Sequence, residues 1–216
     1  MVPASMRSSR SWRVLMALAW LGLATSARAA DDSAPSLAAS ARAECDAGRR
    51  ASDREARKEH FERGEALAEH AVALDDNNAD AHFALFCNLG ELMRLDGESL
   101  SQAFQLRRLM AEVDRTLELN PNHVDAMAAK GTLLVRLPRL LGGDSARGEA
   151  MLRQVILRDP NAFSSRLALA NVCEARGDRE EALAFATRAL QIARQQGRAD
   201  KVAEAQAALA ELRAAQ

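Results

Sequence analysis

The sequence predicts an all-α fold, a right-handed α-solenoid of about four helical hairpins closed by a C-terminal capping helix. Apolar residues recur at helical spacing from about residue 35 onward, and the alternating β-branched runs typical of strands are absent. Similar turn signals recur along the chain, at intervals of 44 and then 39 residues: Asp76-Asn77-Asn78, Asn120-Pro121-Asn122 and Asp159-Pro160-Asn161. Recurring units of this size indicate stacked helical repeats that share one continuous core.

Helical periodicity and turn signals together divide the chain into nine elements. The spacing predicts helices at about residues 35–48, 52–74, 79–96, 99–119, 122–137, 145–158, 162–176, 179–196 and 199–214. Ser52-x-x-Glu55 predicts a capping box at the start of the second helix. The last helix has a narrow apolar stripe, which is typical of a helix that shields the end of a solenoid. The stripe consists of Val202, Ala205, Leu209 and Leu212.

The segment from Pro160 to Leu190 predicts the best-formed hairpin. Ala170 and Ala182 are small residues at positions where two helices must approach closely, and Gly177 supplies the turn between them. Asp178 is a good N-cap for the second helix, and Glu181 follows it at capping-box spacing. Elsewhere we expect insertions in the turns, at residues 137–144 and around residues 94–101.

The first thirty residues have the pattern of an export signal. Arg7, Arg10 and Arg13 precede a short apolar core at residues 14–24, and Ala27-Arg28-Ala29 is a small-x-small cleavage site. The apolar core is about half the length of a bilayer-spanning helix, which favours cleavage over an uncleaved anchor. We therefore predict a signal peptide at residues 1–29, cut after Ala29 or Ala30, a short disordered linker at 30–34 and one helical domain at 35–216.

Composition points to a periplasmic protein that does not bind nucleic acid. Lysine occurs only three times, against many arginines, a usage that we associate with a high-GC bacterial genome. Removing residues 1–29 changes the formal charge from −1 to about −5, because four arginines and no acids are lost. A nucleic-acid partner is therefore not expected, nor is stable membrane insertion after cleavage.

The sequence contains no pattern of an enzyme or of a metal site. The four histidines lack the i, i+4 spacing that places two imidazoles on one helical face, and no nucleophile motif or phosphate-binding glycine loop is present. We expect no catalytic residues, no metal and no cofactor. Cys173 falls at a packing position, whereas a Cys45–Cys87 disulfide is compatible with an oxidising compartment and is left open by the sequence.

Over about residues 77–196 the chain resembles the tetratricopeptide-repeat (TPR) family. Leu169, Ala170, Gly177, Ala182 and Ala189 match that family's small and apolar positions in its 34-residue register. The resemblance implies a binding scaffold whose concave groove is lined by the first helix of each repeat. Carried over to this sequence, the partner-binding residues would be Phe83, Cys87, Glu91, Ala128, Thr132, Val135, Arg136, Leu167, Asn171 and Glu174.

These positions are mixed and mostly uncharged, and only Asn171 matches the clamp that some family members use for a terminal carboxylate. An apolar helix or extended segment of another protein is therefore the expected partner. Residues 137–144 are also similar to a segment of the T components of tripartite ATP-independent periplasmic transporters. That similarity implies the alternative of an accessory component that contacts a solute-binding protein, with room for a small apolar ligand. The sequence does not indicate an oligomeric state.

Overall fold

The computed structural model describes residues 32–97 and 102–214. Within them the chain forms α-helices and one short 3-10 turn, and none of these described residues lies in a strand. The helices are α1 (Ala34–Arg50), α2 (Arg54–Leu74), α3 (Ala79–Asp96), α4 (Gln102–Leu119), α5 (Val124–Arg136), α6 (Ser145–Arg158), α7 (Phe163–Arg176), α8 (Arg179–Gln195) and α9 (Ala199–Ala214). Successive helices pair as hairpins, and each hairpin packs on the next. The predicted all-α, TPR-like solenoid of four hairpins and a final helix is confirmed.

The three turns between hairpins repeat one hydrogen-bonding pattern. Asp75, Asn120 and Asp159 each accept, through a side-chain oxygen, the backbone N–H two residues later, at 3.0, 3.1 and 2.8 Å. Each also accepts, through its carbonyl, the N–H three residues later. Such Asx turns redirect the chain over a few residues and place the next helix beside the last. In the first turn the Asx residue is Asp75, one residue before the Asp76 that begins the predicted motif, so equivalent positions are 45 and then 39 residues apart. Asx-containing turns thus separate successive hairpins.

The fourth hairpin has the predicted geometry. Gly177 takes a left-handed conformation with φ of 84°, and its N–H and that of Asp178 close the end of α7. The Asp178 carboxylate then accepts the Glu181 N–H at 3.3 Å. Ala170 and Ala182 are both fully buried in the same apolar cluster, as close helix contact requires.

Residues 137–144 form the predicted turn between α5 and α6. Pro138 precedes a 3-10 turn at Arg139–Leu141, Gly142 has a φ of 90°, and Asp144 accepts the Arg147 N–H at 3.0 Å to begin α6. A Cβ on Gly143 would lie 1.8 Å from the Leu137 carbonyl oxygen, so this position requires glycine. Helix termination and capping thus account for the motif. The similarity to transporter T components stays a prediction.

Two close contacts hold the first three helices together. Asn88 of α3 is fully buried and donates to the carbonyl of Ala41 in α1 at 3.1 Å, while Gly64 of α2 leaves room for the amide. Phe61 of α2 is also fully buried, and its ring fills the space beside Gly48 of α1. Small residues therefore occur where a side chain from the facing helix must enter.

The predicted cap of α2 at Ser52 is wrong. The N-cap of α2 is Asp53, one residue after Ser52, because its carboxylate accepts the Ala56 N–H at 2.9 Å. The predicted signal peptide and residues 30 and 31 of the linker lie outside the described residues, whereas Ala34, the last residue of the predicted linker, already begins α1. In the described part of the chain, no helix is both long enough and apolar enough to cross a bilayer.

Candidate partner-binding groove

The concave surface contains a groove formed by the first helix of each hairpin. Its larger cavity, of about 480 Å³, is bounded by side chains from α1, α3 and α5, by Val155 of α6, by the start of α7 and by the turn into α9 with that helix's first residues. A second cavity of about 460 Å³ adjoins it, and the two share Arg49, Phe86, Cys87, Arg94, Leu133 and Arg136. We call the two cavities together the concave groove.

An aromatic cluster forms part of the floor of the concave groove. Phe83 stacks on Phe86 with ring centroids 5.6 Å apart, and the His123 ring lies 4.5 Å from the Phe83 ring. The guanidinium of Arg42 covers the Phe83 ring at 4.6 Å and bonds to Asp125 of α5 at 3.2 Å. Arg42 therefore bridges α1 and α5 directly above the aromatic floor.

Basic side chains outnumber acidic ones around the larger cavity. The acidic side chains in its lining are Asp125 and Asp159. Six basic side chains also line it: Arg42, Arg49, Arg94, Arg136, Arg198 and Lys201. Most of this charge is locally paired. Arg49 and Arg94 both bond to the buried carboxylate of Glu91, at 2.8 and 3.3 Å, and Arg42, Arg198 and Lys201 bond to Asp125, Asp200 and Glu204. Arg136 is exposed and forms no ion pair with the described residues. An anionic ligand would find an available guanidinium there.

Two thiols lie together beside the concave groove: Cys87 lines both cavities, and Cys45 is buried behind it. The Sγ atoms of Cys45 and Cys87 are 2.9 Å apart, and Arg49 Nη2 is 3.2 Å from Cys87 Sγ. The hydrogen bond from the Cys45 thiol lowers the pKa of Cys87 to about 7, with Arg49 acting in the same direction against the effect of burial. The same hydrogen bond and burial raise the pKa of Cys45.

Six of the ten residues predicted to bind a partner line the concave groove. They are Phe83, Cys87, Glu91, Ala128, Thr132 and Arg136. Their role in binding stays a prediction, but the structure brings them together as the family pattern implied.

The other four predicted residues lie elsewhere. Leu167 packs in the core with Phe163 and Leu209, because α9 lies against this end of the solenoid. Val135 faces α6 and packs on Leu152. Asn171 and Glu174 are exposed but line neither cavity. The placement of Leu167 and Asn171 together on the groove wall is therefore wrong.

Sequence reasoning missed the residues contributed by α1 and by the start of α9. Arg42 and Arg49 are seven residues apart, two turns along one face of α1, so helical periodicity alone would have paired them. They were missed because α1 resembles the repeat least. Arg198 lies just before α9 and Lys201 in its first turn, and the sequence predicted that helix only as a cap.

Among the residues the structure describes, no group of three or more His, Cys, Asp or Glu side chains is placed to hold a metal ion. His82, which is buried, contacts Glu112 at 2.7 Å and the Asp76 carbonyl at 3.0 Å. These contacts join α3 to α4 and to the turn before α3.

Solved structures with this arrangement of helices are TPR proteins. The crystal structure of TTC0263, a thermophilic TPR protein in Thermus thermophilus, matches with a TM-score of 0.54 and 20% identity, over 81% of this chain and 89% of that chain. The crystal structure of MamA matches with a TM-score of 0.51 and 15% identity, over 77% of this chain and 81% of that one. At these identities the similarity shows the fold alone, that of a TPR protein.

The family model described as "Regulator of microtubule dynamics protein 1-3" matches residues 19–134. Because this is more than half of the sequence, the chain belongs to that family. The comparison with curated proteins found no significant match.

Proposed function

We propose that this protein is an exported interaction scaffold whose concave groove binds an acidic segment of another protein that also carries aromatic or aliphatic side chains. The observation that carries the proposal is the combination of an aromatic floor with six basic side chains around one cavity. Apolar side chains of a partner would cover Phe86 and Leu133, and its carboxylates would meet the arginines. This differs from the apolar helix or extended segment that the sequence predicted, because Arg42 and Arg49 of α1, and Arg198 and Lys201 at the start of α9, add positive charge to the cavity lining.

The arginines of the concave groove suit a partner segment whose carboxylates stay near solvent while its apolar side chains enter the groove. Arg136 is open to solvent, while Arg42 and Arg49 are held in place by Asp125 and Glu91. A guanidinium group that an ion pair already holds in place loses little conformational entropy when a partner's carboxylate binds to it. Electrostatic attraction of this kind also accelerates association and weakens as salt increases.

Arg136→Glu should weaken binding of an acidic segment by about tenfold, equivalent to about 1.4 kcal/mol. The probe is a fluorescent peptide rich in Asp and Glu with Phe and Leu at intervals, and its dissociation constant is measured by anisotropy at two salt concentrations. Arg147→Glu is the matched control, because Arg147 is likewise exposed, forms no side-chain ion pair with described residues and lies outside the groove.

The proposal fails if both variants bind the peptide as the wild type does, or if a basic peptide of the same apolar content binds as tightly. Circular dichroism of both variants checks that helical content is unchanged.

Export is the second part of the proposal and has its own test. If residues 1–29 are a signal peptide, protein recovered from the periplasm should begin at Ala30 or Asp31, because the small residues before the cut suit the peptidase. N-terminal sequencing after osmotic shock measures this. Full-length chain with Met1, found in the membrane fraction, would instead support an uncleaved anchor.

A further inference from the structure

We infer that Cys45 and Cys87 form a dithiol site that disulfide compounds oxidise to an intramolecular disulfide between α1 and α3. The inference rests on the geometry of the pair and is independent of the proposed partner. Both thiols are buried, they come from helices of different hairpins, and their sulfurs are 2.9 Å apart. A disulfide bond of about 2.05 Å requires only a small further approach of the two side chains.

The two thiols are not equivalent, which assigns each a role. Cys87 borders both cavities of the concave groove, whereas Cys45 is fully enclosed beside Phe61. Cys87 also receives the Cys45 S–H hydrogen bond and lies 3.2 Å from the Arg49 guanidinium, which stabilises a thiolate. Cys87 is therefore the attacking sulfur and Cys45 the resolving sulfur.

The reaction is a pair of thiol–disulfide exchanges with a small disulfide such as oxidised glutathione. The Cys87 thiolate attacks one sulfur of the oxidant, forming a mixed disulfide and expelling one glutathione thiolate. Cys45 then loses its proton and attacks Cys87 Sγ, which forms the internal disulfide and expels the second glutathione thiolate. Two electrons pass from the cysteines to the oxidant, and the two thiol protons end on two molecules of reduced glutathione.

Arg49 supports this chemistry from the groove side. Its Nε atom is bonded to Glu91 at 2.8 Å, so the guanidinium is held beside Cys87 by a carboxylate on the next turn of α3. Arg49 belongs to α1, as does Cys45, so the helix that carries the resolving thiol also carries the cation. Once the disulfide has formed, Cys87 holds no charge and Arg49 keeps its contact with Glu91.

The test uses the full chain, incubated at neutral pH with oxidised glutathione and then quenched with an alkylating reagent. Trypsin cleavage at Arg and Lys places the three cysteines in three different peptides, so mass spectrometry without reduction identifies each linkage. We expect the wild type to lose two hydrogens and to give a cross-linked pair of peptides that contain Cys45 and Cys87. The matched control is Cys173→Ser, since Cys173 is equally buried but has Glu181, 3.2 Å away, as its neighbour. It should react as the wild type does.

Single substitutions separate the two roles. Cys45→Ser should stop the reaction at a mixed disulfide of glutathione on Cys87, and Cys87→Ser should give no adduct on Cys45. A wild-type chain that stays fully reduced under conditions that oxidise a model dithiol would overturn the inference. So would a chain whose glutathione adducts fall on Cys173 or Cys45 without the internal cross-link.

Discussion

Gly64→Ala should lower the free energy of unfolding by about 2–4 kcal/mol, although alanine is the better helix former. A Cβ at this position would lie 2.2 Å from Asn88 Oδ1 and 2.5 Å from its Cγ. The added methyl group must displace an amide that is fully buried and donates to two carbonyls, those of Ala41 and Ala84. Overpacking costs about 1–3 kcal/mol, and each buried group left without its hydrogen bond costs a similar amount.

Gly90→Ala is the matched control. Gly90 is also inside a helix, but a Cβ there would meet only Leu109 Cδ1 at 3.5 Å, an ordinary contact. This substitution should therefore be neutral or should stabilise the protein by up to about 1 kcal/mol through helix propensity. Urea denaturation followed by circular dichroism measures both variants. Equal effects of the two substitutions would mean that α2 and α3 do not approach at Gly64.

Ala182→Trp should cost about 3 kcal/mol or more, because the ring has no space where α7 and α8 touch. Ala182 is fully buried in the cluster that contains Ala170 and Ala186, all of them small. An indole ring there must separate the helices and expose the apolar surface that they share. Thermal unfolding measures the loss.

Two controls distinguish steric expansion from other effects in the same helix. Ala184→Trp adds the same ring at an exposed position of α8 and should change stability by less than about 0.5 kcal/mol. Glu181→Ala removes a partly exposed carboxylate that bonds to Arg153 at 2.8 Å and Arg176 at 2.9 Å, with an expected loss of about 1 kcal/mol. If Ala182→Trp and Ala184→Trp shift the melting temperature equally, the register assigned to this hairpin is wrong.

Helix boundaries were predictable because local chemistry determines them. Asx-containing turns, the glycines at 142 and 177 and the caps at Asp144 and Asp178 act over a few residues, so the sequence contains all the information needed. The observed starts and ends of α3, α6 and α9 coincide with the predicted ones. The displaced cap of α2 reflects two adjacent residues, Ser52 and Asp53, that are both able to cap.

The groove was only partly predictable, because its composition depends on which helices face each other across the solenoid. Phe83 and Cys87 follow from the repeat register, but the Arg42 to Asp125 ion pair joins residues 83 positions apart. Leu167 fits the register of a groove residue and yet is buried, since α9 packs where a further repeat would leave the surface open. No local pattern encodes either contact.

The central claim is that the concave groove is the binding surface, and NMR mapping tests it most directly. The labelled full chain is titrated with the acidic, Phe- and Leu-containing peptide while the backbone amide shifts are followed. We expect saturable changes concentrated at Phe83, Phe86, Ala128, Thr132 and Arg136, with α2 and α8, which line neither cavity, unaffected, and we expect Arg136→Glu to reduce them all. Saturable changes confined to α2 and α8, or the same titration in Arg136→Glu, would contradict the claim.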